Sequence, residues 1–146
     1  MPATGRLAIG FDDQRYDAQS FWADGSTIVF SATAVDGSVA VGLAVTFAAA
    51  PDTVALCADG DPVIGKLLKV EPDGLCTVQH KGNCTLPAGN AATNTPGTRQ
   101  LGALGPASAK GYIRNAASGT PAELVRQGPI CWDNMTAATI VVDLGG

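Results

Sequence analysis

The only histidine in the chain lies midway between two of the four cysteines, in the segment CTVQHKGNC. Thiolate and imidazole are ligands that zinc prefers, so the spacing of Cys76, His80 and Cys84 raises the question of a metal site. In an extended strand, residues four apart lie roughly 13 Å from one another, whereas metal–ligand distances are about 2.0–2.3 Å. Glycine, asparagine and β-branched residues disfavour a helix here, and a hairpin would supply at most three ligands. We therefore expect no metal and no cofactor.

A second segment with apparent chemistry is GDPVIGKL, residues 60–67, which matches most of a phosphate-binding P-loop. Leu67 stands where the motif needs Ser or Thr to hold magnesium. The continuation LLKVEPDG is typical of a strand that runs into a turn, whereas a P-loop needs a helix N-terminus behind it. We interpret the segment as a turn that leads into a strand.

The usual parts of a catalytic site are sparse. A single histidine gives few ways to activate a Ser or Cys nucleophile, and no Gly-x-Ser-x-Gly motif is present. Asp59 and Asp61 resemble the start of a calcium loop, but no glutamate follows at the EF-hand position. Most acidic residues lie in or beside turns, where aspartate is common for conformational reasons. We predict that the protein is not an enzyme, with a hydrolase that uses dispersed carboxylates as an open alternative.

The composition excludes several classes of partner. The chain has 146 residues, of which 46% are hydrophobic and 15% are charged, and its net charge is −4. Nucleic-acid binding needs clustered Lys and Arg, and no basic run exists. The N-terminus does not have the pattern of a secretory signal, and no segment approaches the ~20 apolar residues of a membrane span. We expect synthesis in a reducing cytosol, no membrane contact, and four cysteines present as thiols.

Short apolar or β-branched runs separated by Asp-Gly turns predict an all-β protein, either a compact β-barrel or a β-sandwich. The Asp-Gly pairs indicate hairpins because glycine tolerates the positive φ of tight turns. They are Asp24-Gly25, Asp36-Gly37, Asp59-Gly60 and Asp73-Gly74. The predicted strands are STIVFSATA, SVAVGLAVTF, DTVALCA, DPVIGKLLKVEP, GLCTVQHKG, GYIRNA and TAATIVVDL.

Three segments depart from this rhythm. TPAELVRQG fits either a short helix, with Thr120 as N-cap and Pro121 in the first turn, or a strand. Residues 85–109 are rich in Gly, Pro, Ala, Asn and Thr and predict a long loop. Residues 1–25 hold four of the eight aromatic residues without a clear hairpin pattern. We divide the chain into residues 1–37, an extended N-terminal arm or first strands, and residues 38–146, the β domain.

The run DGDPVIGKLLKVEPDGLCTVQHKGNCTLPAG, preceded by SVAVGLAVTF, resembles the capsid decoration, or cement, proteins of tailed bacteriophages. GYIRNAASGT and the valine-rich C-terminal strand are similar as well, so the resemblance covers about the last two-thirds of the chain. It implies a barrel or sandwich without enzymatic activity that assembles as a homotrimer. Such a protein binds the major capsid protein on the outside of the virion.

Low charge, an aromatic arm and the absence of a catalytic motif agree with a protein that clamps its neighbours. We therefore expect Phe11, Tyr16, Phe21 and Trp22 to contact the partner, because aromatic side chains bury large areas at interfaces. The alternative for these four residues is that they close one end of the barrel, and Trp132 is assigned to the core. A carbohydrate-binding β-module of a tail or fibre is the alternative function, with Trp22-Ala23-Asp24 or Trp132-Asp133-Asn134 as its sugar contacts.

Overall fold

The computed structural model describes residues 17–126, 128–134 and 138–145. These residues form ten strands and one four-residue helix, so the prediction of an all-β fold is confirmed. The strands are β1 (Asp17–Ala23), β2 (Ala44–Phe47), β3 (Thr53–Leu56), β4 (Gly65–Val70), β5 (Leu75–Lys81), β6 (Asn83–Pro87), β7 (Gln100–Ala103), β8 (Tyr112–Asn115), β9 (Ile130–Asn134) and β10 (Thr139–Asp143). The helix is α1 (Pro121–Leu124).

The first five strands close into a barrel in the order β1-β3-β2-β4-β5, with β5 paired back to β1. The β1–β3 pair is parallel, and the other four pairs are antiparallel. Alternate side chains of each strand point inward, and the interior is apolar, with Val45, Leu67 and Val78 fully buried. Burial of each such side chain stabilises the fold by about 1.5–3 kcal/mol, so the barrel has its own core.

The remaining strands form a three-stranded sheet, β6-β10-β9, and a hairpin, β7-β8. A second apolar cluster lies between them and the barrel. It combines Ala44, Cys57 and Val63 from the barrel half of the chain with Ile113 and Val142 from the later strands. The later strands therefore pack against the outside of the barrel.

The predicted strand STIVFSATA, residues 26–34, is wrong, because the structure has no strand there. The carboxylate of Asp24 accepts hydrogen bonds from the backbone N–H groups of Ser26, Thr27 and Ile28, at 3.3, 3.1 and 3.0 Å. Side-chain acceptors of this kind compete with a strand ladder for the backbone. Residues 17–23, in the segment that we assigned to an N-terminal arm or first strands, form β1.

Of the four Asp-Gly pairs, one makes a hairpin. Asp73-Gly74 joins β4 to its neighbour β5, with hydrogen bonds between Glu71 and Leu75 at 2.7 Å and from Gly74 to Glu71 at 3.0 Å. The other three pairs follow or precede strands that are not hydrogen-bonded to each other. The hairpin prediction for those three is therefore wrong, although all four pairs lie in turns or loops.

The other sequence predictions are confirmed in part. GDPVIGKL leads directly into β4, as its interpretation as a turn and strand required. The long loop is shorter than predicted, because β6 extends to Pro87 and β7 begins at Gln100. TPAELVRQG is helical at Pro121–Leu124, with Thr120 as N-cap residue but without a side-chain capping bond.

None of the described residues belongs to a helix long and apolar enough to cross a membrane.

Candidate functional site

The four predicted contact residues are not all in the described part of the chain. Phe11 and Tyr16 lie outside the described residues. Phe21 and Trp22 are consecutive on β1, so their side chains point to opposite faces of the strand. Phe21 packs against the barrel core, whereas Trp22 is 49% exposed. The structure therefore does not place these two aromatic side chains on one common surface.

Phe21 forms one wall of a cleft of about 360 Å³ beside the barrel core. Its ring meets the ring of Phe47 edge to face, with centroids 5.7 Å apart, and Phe47 itself is 59% exposed. Phe47 is not among the predicted contact residues, although its position at the end of an alternating apolar run was a usable signal. The other lining residues are Gln19, Val63, Ile64, His80, Gly128 and Leu144.

His80 also lines the cleft, at a point where β5 contains one extra residue. Lys81 pairs with Asp17 and Gln79 pairs with Ala18, which leaves His80 without a partner position on β1. Cys76, Val78 and His80 alternate along β5, which places His80 on the same side of the strand as the two buried residues. The imidazole Nε2 lies 3.6 Å from the Asp17 carboxylate, so the histidine contacts an acidic residue at the edge of the cleft.

The CTVQHKGNC segment does not form a cluster of metal ligands. Cys76 is buried, and its thiol donates a hydrogen bond to the carbonyl oxygen of Phe21 at 3.3 Å. Burial, followed by the negative charge of Asp24, raises the pKa of Cys76 to about 11, so the thiol stays protonated at neutral pH. Within the described ranges, no three His, Cys, Asp or Glu side chains are placed to share an ion.

All four cysteines are buried and none forms a disulfide. Burial raises the pKa of Cys57 strongly, with a further contribution from the charge of Asp61, and burial also raises the pKa of Cys131. The thiolate is the reactive form of cysteine, so raised pKa values make these thiols poor nucleophiles. Cys57, Cys76 and Cys131 are buried among apolar side chains, where a thiol packs as a small apolar group.

The most strongly paired charges surround Arg114. Its guanidinium donates to Asp59 at 2.8 Å and to both carboxylate oxygens of Glu123, at 2.8 and 2.9 Å. Arg126 donates to the backbone oxygen of Gly60 in the same place. The cluster joins the β3–β4 connection, β8 and α1, which the sequence did not indicate because Asp59 and Arg114 are 55 residues apart. These carboxylates bind the Arg114 guanidinium and hold the three segments together.

A loop between β1 and β2, residues 24–43, presents valines to solvent, and we call it the valine loop. Val35 is 82% exposed and Val39 is 87% exposed. The loop is nevertheless fixed to itself, since Ser31 N–H donates to the Gly37 carbonyl and the Ser38 hydroxyl donates to the Val29 carbonyl, both at 2.8 Å. Anchored loops that expose apolar side chains are typical of contact surfaces.

The assignment of Trp132 to the core is wrong, because its side chain is 42% exposed. Cys131 pairs with Val142 and Asp133 pairs with Val141, so Trp132 is the extra residue of a second β-bulge. Its neighbour Cys131 is buried, so alternation along β9 directs the indole outward. The sequence ICWD carries no signal for a bulge.

Comparison with protein-family models gave no match, and no curated protein matches the sequence significantly.

Proposed function

We propose that the protein is a capsid decoration, or cement, protein of a tailed bacteriophage. In this proposal it binds the outer surface of the assembled head as a homotrimer and stabilises contacts between major capsid proteins. The observation that carries the proposal is the exposure of large apolar side chains on a small, well-anchored β fold. Val35, Val39 and Phe47 are each more than half exposed, and Trp22 and Trp132 are close to half.

The exposed residues favour a binding role because apolar surface in water is unfavourable unless a partner covers it. Aromatic residues are enriched where interfaces contribute most of their binding energy. The low charge of the chain fits the same role, since interface cores are depleted of charged residues. The choice of the major capsid protein as partner rests on the resemblance of DGDPVIGKLLKVEPDG and its flanking segments to decoration proteins.

Several of the groups that could do chemistry are occupied in structural contacts. The Asp24 carboxylate accepts bonds from three backbone N–H groups, and the Asp59 and Glu123 carboxylates bind Arg114. The cysteine thiols are buried. These occupied groups support a protein that acts by contact.

The first test is the protein composition of purified particles of the source phage. A cement protein should be present in copies comparable to the major capsid protein. It should also be lost on chemical stripping, and the stripped shell should break at lower temperature or force. Adding purified protein back should restore that stability. Only a few copies per particle, or none, would overturn the proposal.

The second test maps the contact surface on stripped shells. The double variant Val35→Asp, Val39→Asp places charge on the most exposed part of the valine loop. If the loop contacts the shell, we expect binding to weaken roughly tenfold or more, as for residues at the centre of an interface. Thr33→Asp on the same loop adds one charge without removing an apolar side chain, and it should change binding much less. Equal binding by all variants would exclude the valine loop.

The third test concerns the N-terminal segment. Because residues 17–23 form a barrel strand, the arm expected to contact the shell is limited to residues 1–16, which include Phe11 and Tyr16. A truncation that begins at Asp17 is expected to keep the far-ultraviolet spectrum of the full chain and to bind shells more weakly. A truncation that begins at Ser26 removes β1 and is expected not to fold. Full binding by the first truncation would remove the arm from the proposal.

The second candidate function is a carbohydrate-binding module of a tail or fibre. The exposure of Trp22 and Trp132 favours it, since sugars stack on exposed indole rings. At the first of these sites the Asp24 carboxylate is occupied by Ser26, Thr27 and Ile28, which leaves it little capacity for a sugar hydroxyl. A glycan panel monitored by tryptophan fluorescence distinguishes the two functions, because a cement protein should give no shift or quenching.

A further inference from the structure

All four Asp-Gly pairs can in principle cyclise to a succinimide, but the fold restrains some of them more than others. An aspartyl residue followed by glycine can cyclise, because glycine has no side chain to hinder attack by its own amide nitrogen. The reaction needs a carboxyl group that can approach the next backbone nitrogen and a nitrogen that can leave its hydrogen bond. The structure allows each pair to be compared on both requirements.

Three of the pairs are held in place. The Asp24 carboxylate accepts from three backbone N–H groups and two hydroxyls, at 2.8–3.3 Å. The Asp59 carboxylate binds Arg114 at 2.8 Å, and the N–H of Gly60 donates to Gly102 at 2.8 Å. The Asp73 carboxylate accepts from Leu75, and the N–H of Gly74 donates to Glu71, both at 3.0 Å. Cyclisation at each of these positions would first break well-formed bonds.

Asp36 differs from the other three aspartates in its carboxylate and in its backbone conformation. Among the described residues, its carboxylate has no hydrogen bond or ion pair, and it lies on the exposed side of the valine loop. The N–H of Gly37 donates to Ala34 at 3.3 Å, a longer and weaker bond than those of Gly60 and Gly74. Asp36 is also the one aspartate of the four with positive φ, at 55°, a region unfavourable for residues with a β-carbon.

We propose that Asp36 is a site of spontaneous isoaspartate formation in the native protein, and that the fold directs the reaction to this pair. The Gly37 amide nitrogen attacks Cγ of Asp36, a C–N bond forms, and the C–O bond to the carboxyl hydroxyl breaks. Water leaves with the amide proton, and a succinimide remains. Water then opens the ring at the α-carbonyl, which leaves the main chain running through Cβ and Cγ. The mass of the protein is unchanged.

The site lies where the change has structural consequences. Gly37 packs against the backbone carbonyl of Val70 so closely that a β-carbon there would have no space. Its own carbonyl accepts the bond from Ser31 that closes the valine loop. An added methylene in the main chain at Asp36 shifts this glycine and changes the relative position of Val35 and Val39. This inference is independent of the proposed function.

The test is incubation of the purified full chain at mildly acidic pH, followed by digestion with chymotrypsin. Cleavage after Trp22, Phe30 and Phe47 separates Asp24-Gly25 from Asp36-Gly37, and cleavage after leucines separates the other two pairs. Fragment-ion mass spectrometry then measures isoaspartate at each pair. We expect Asp36 to exceed each of the others by roughly tenfold, which corresponds to the loss of one or two net hydrogen bonds.

Two controls make the result specific to the fold. In urea-unfolded protein, the four pairs should isomerise at similar rates, since the protecting contacts are gone. Asp36→Glu should remove the native signal, because a six-membered ring forms far more slowly, whereas the matched variant Asp73→Glu should leave it unchanged. Native isomerisation at another pair as fast as at Asp36 would overturn the proposal. The same preference in the unfolded protein would also overturn it, since sequence and not structure would then direct the reaction.

Discussion

Arg114 binds Glu123 through two parallel hydrogen bonds, from different guanidinium nitrogens to the two carboxylate oxygens, at 2.8 and 2.9 Å. The same guanidinium binds Asp59, and Glu123 also accepts from the backbone N–H of Ala117 at 2.9 Å. Arginine is suited to this arrangement because its planar donors match the geometry of a carboxylate. The pair therefore fastens α1 to β8 and to the connection between β3 and β4.

The Glu123 pair should make stability depend on acidity. The bond from Arg114, followed by that from Ala117, lowers the pKa of Glu123 from 4.5 to about 2. A carboxyl whose pKa is lower in the folded state stabilises the fold above its unfolded pKa, and this contribution is lost as pH falls from about 4.5 towards 2. Urea unfolding measured across that range should show a steeper fall for the natural protein than for Glu123→Gln. An equal fall in the free energy of unfolding for both proteins would mean that the Arg114–Glu123 pair does not contribute to stability.

Asp24 should be the most important single carboxylate for the valine loop. Burial acts to raise its pKa, but the hydrogen bonds from Ile28 and Thr27 outweigh that effect, and the pKa is lowered overall. Asp24→Ala leaves several backbone donors without their partner, and we expect a loss of about 1–3 kcal/mol in the free energy of unfolding. Glu71→Ala removes only an exposed ion pair with Lys69 and should cost less than about 0.5 kcal/mol. Similar losses for the two variants would contradict the assignment.

The edge-to-face pair of Phe21 and Phe47 should couple the barrel core to the cleft. Phe21→Ala is expected to destabilise more than Phe47→Ala, because Phe47 is largely exposed while Phe21 packs on the core. A double-mutant cycle should give a coupling of about 0.5–1.5 kcal/mol, the usual range for aromatic pairs. Additive effects of the two substitutions would show that the ring contact contributes nothing of its own.

The four thiols should react with a thiol reagent only slowly until the protein unfolds. Cys84 and Cys131 both pair with Val142, from opposite sides, so they lie two strand spacings apart. That separation of about 9–10 Å exceeds the reach of a disulfide, for which the Cα atoms lie within about 7 Å. A thiol reagent should therefore label the native protein slowly and all four cysteines rapidly in urea, and mild oxidation should leave its gel mobility unchanged. Rapid labelling of the native protein would contradict the burial.

The sequence was a good guide to the class of fold and to the strands whose partners are nearby. β2, β3, β4, β5, β8 and β10 lie within predicted segments, because alternating apolar residues and turn signals are local properties. β1 could not be predicted in this way, since DAQSFWA forms a strand only because residues 53–54 and 75–81 provide its neighbours. The predicted strand at residues 26–34 does not form, because the Asp24 carboxylate binds the backbone N–H groups at its start.

The candidate site was predicted less well than the fold. Residue type alone selected Phe21 and Trp22, but only the strand showed that they face opposite ways. His80 and Trp132 are the extra residues of two β-bulges, which interrupt the strand pairing at these positions. Neither bulge is indicated by the composition or the spacing of residues in the sequence. The exposure of Val35 and Val39 likewise follows from how the loop folds on itself.

The order of strands along the chain also has a consequence for how the protein forms on the ribosome. All five barrel strands lie between residues 17 and 81, and the strand that closes the barrel, β5, is the last of them to be made. The barrel can therefore close while β6 to β10 are still being synthesised. Until those strands arrive, Cys57 and Val63 have no partners from the second apolar cluster. The growing chain can thus contain a closed barrel with one exposed apolar face. The last strands to be synthesised then cover that face.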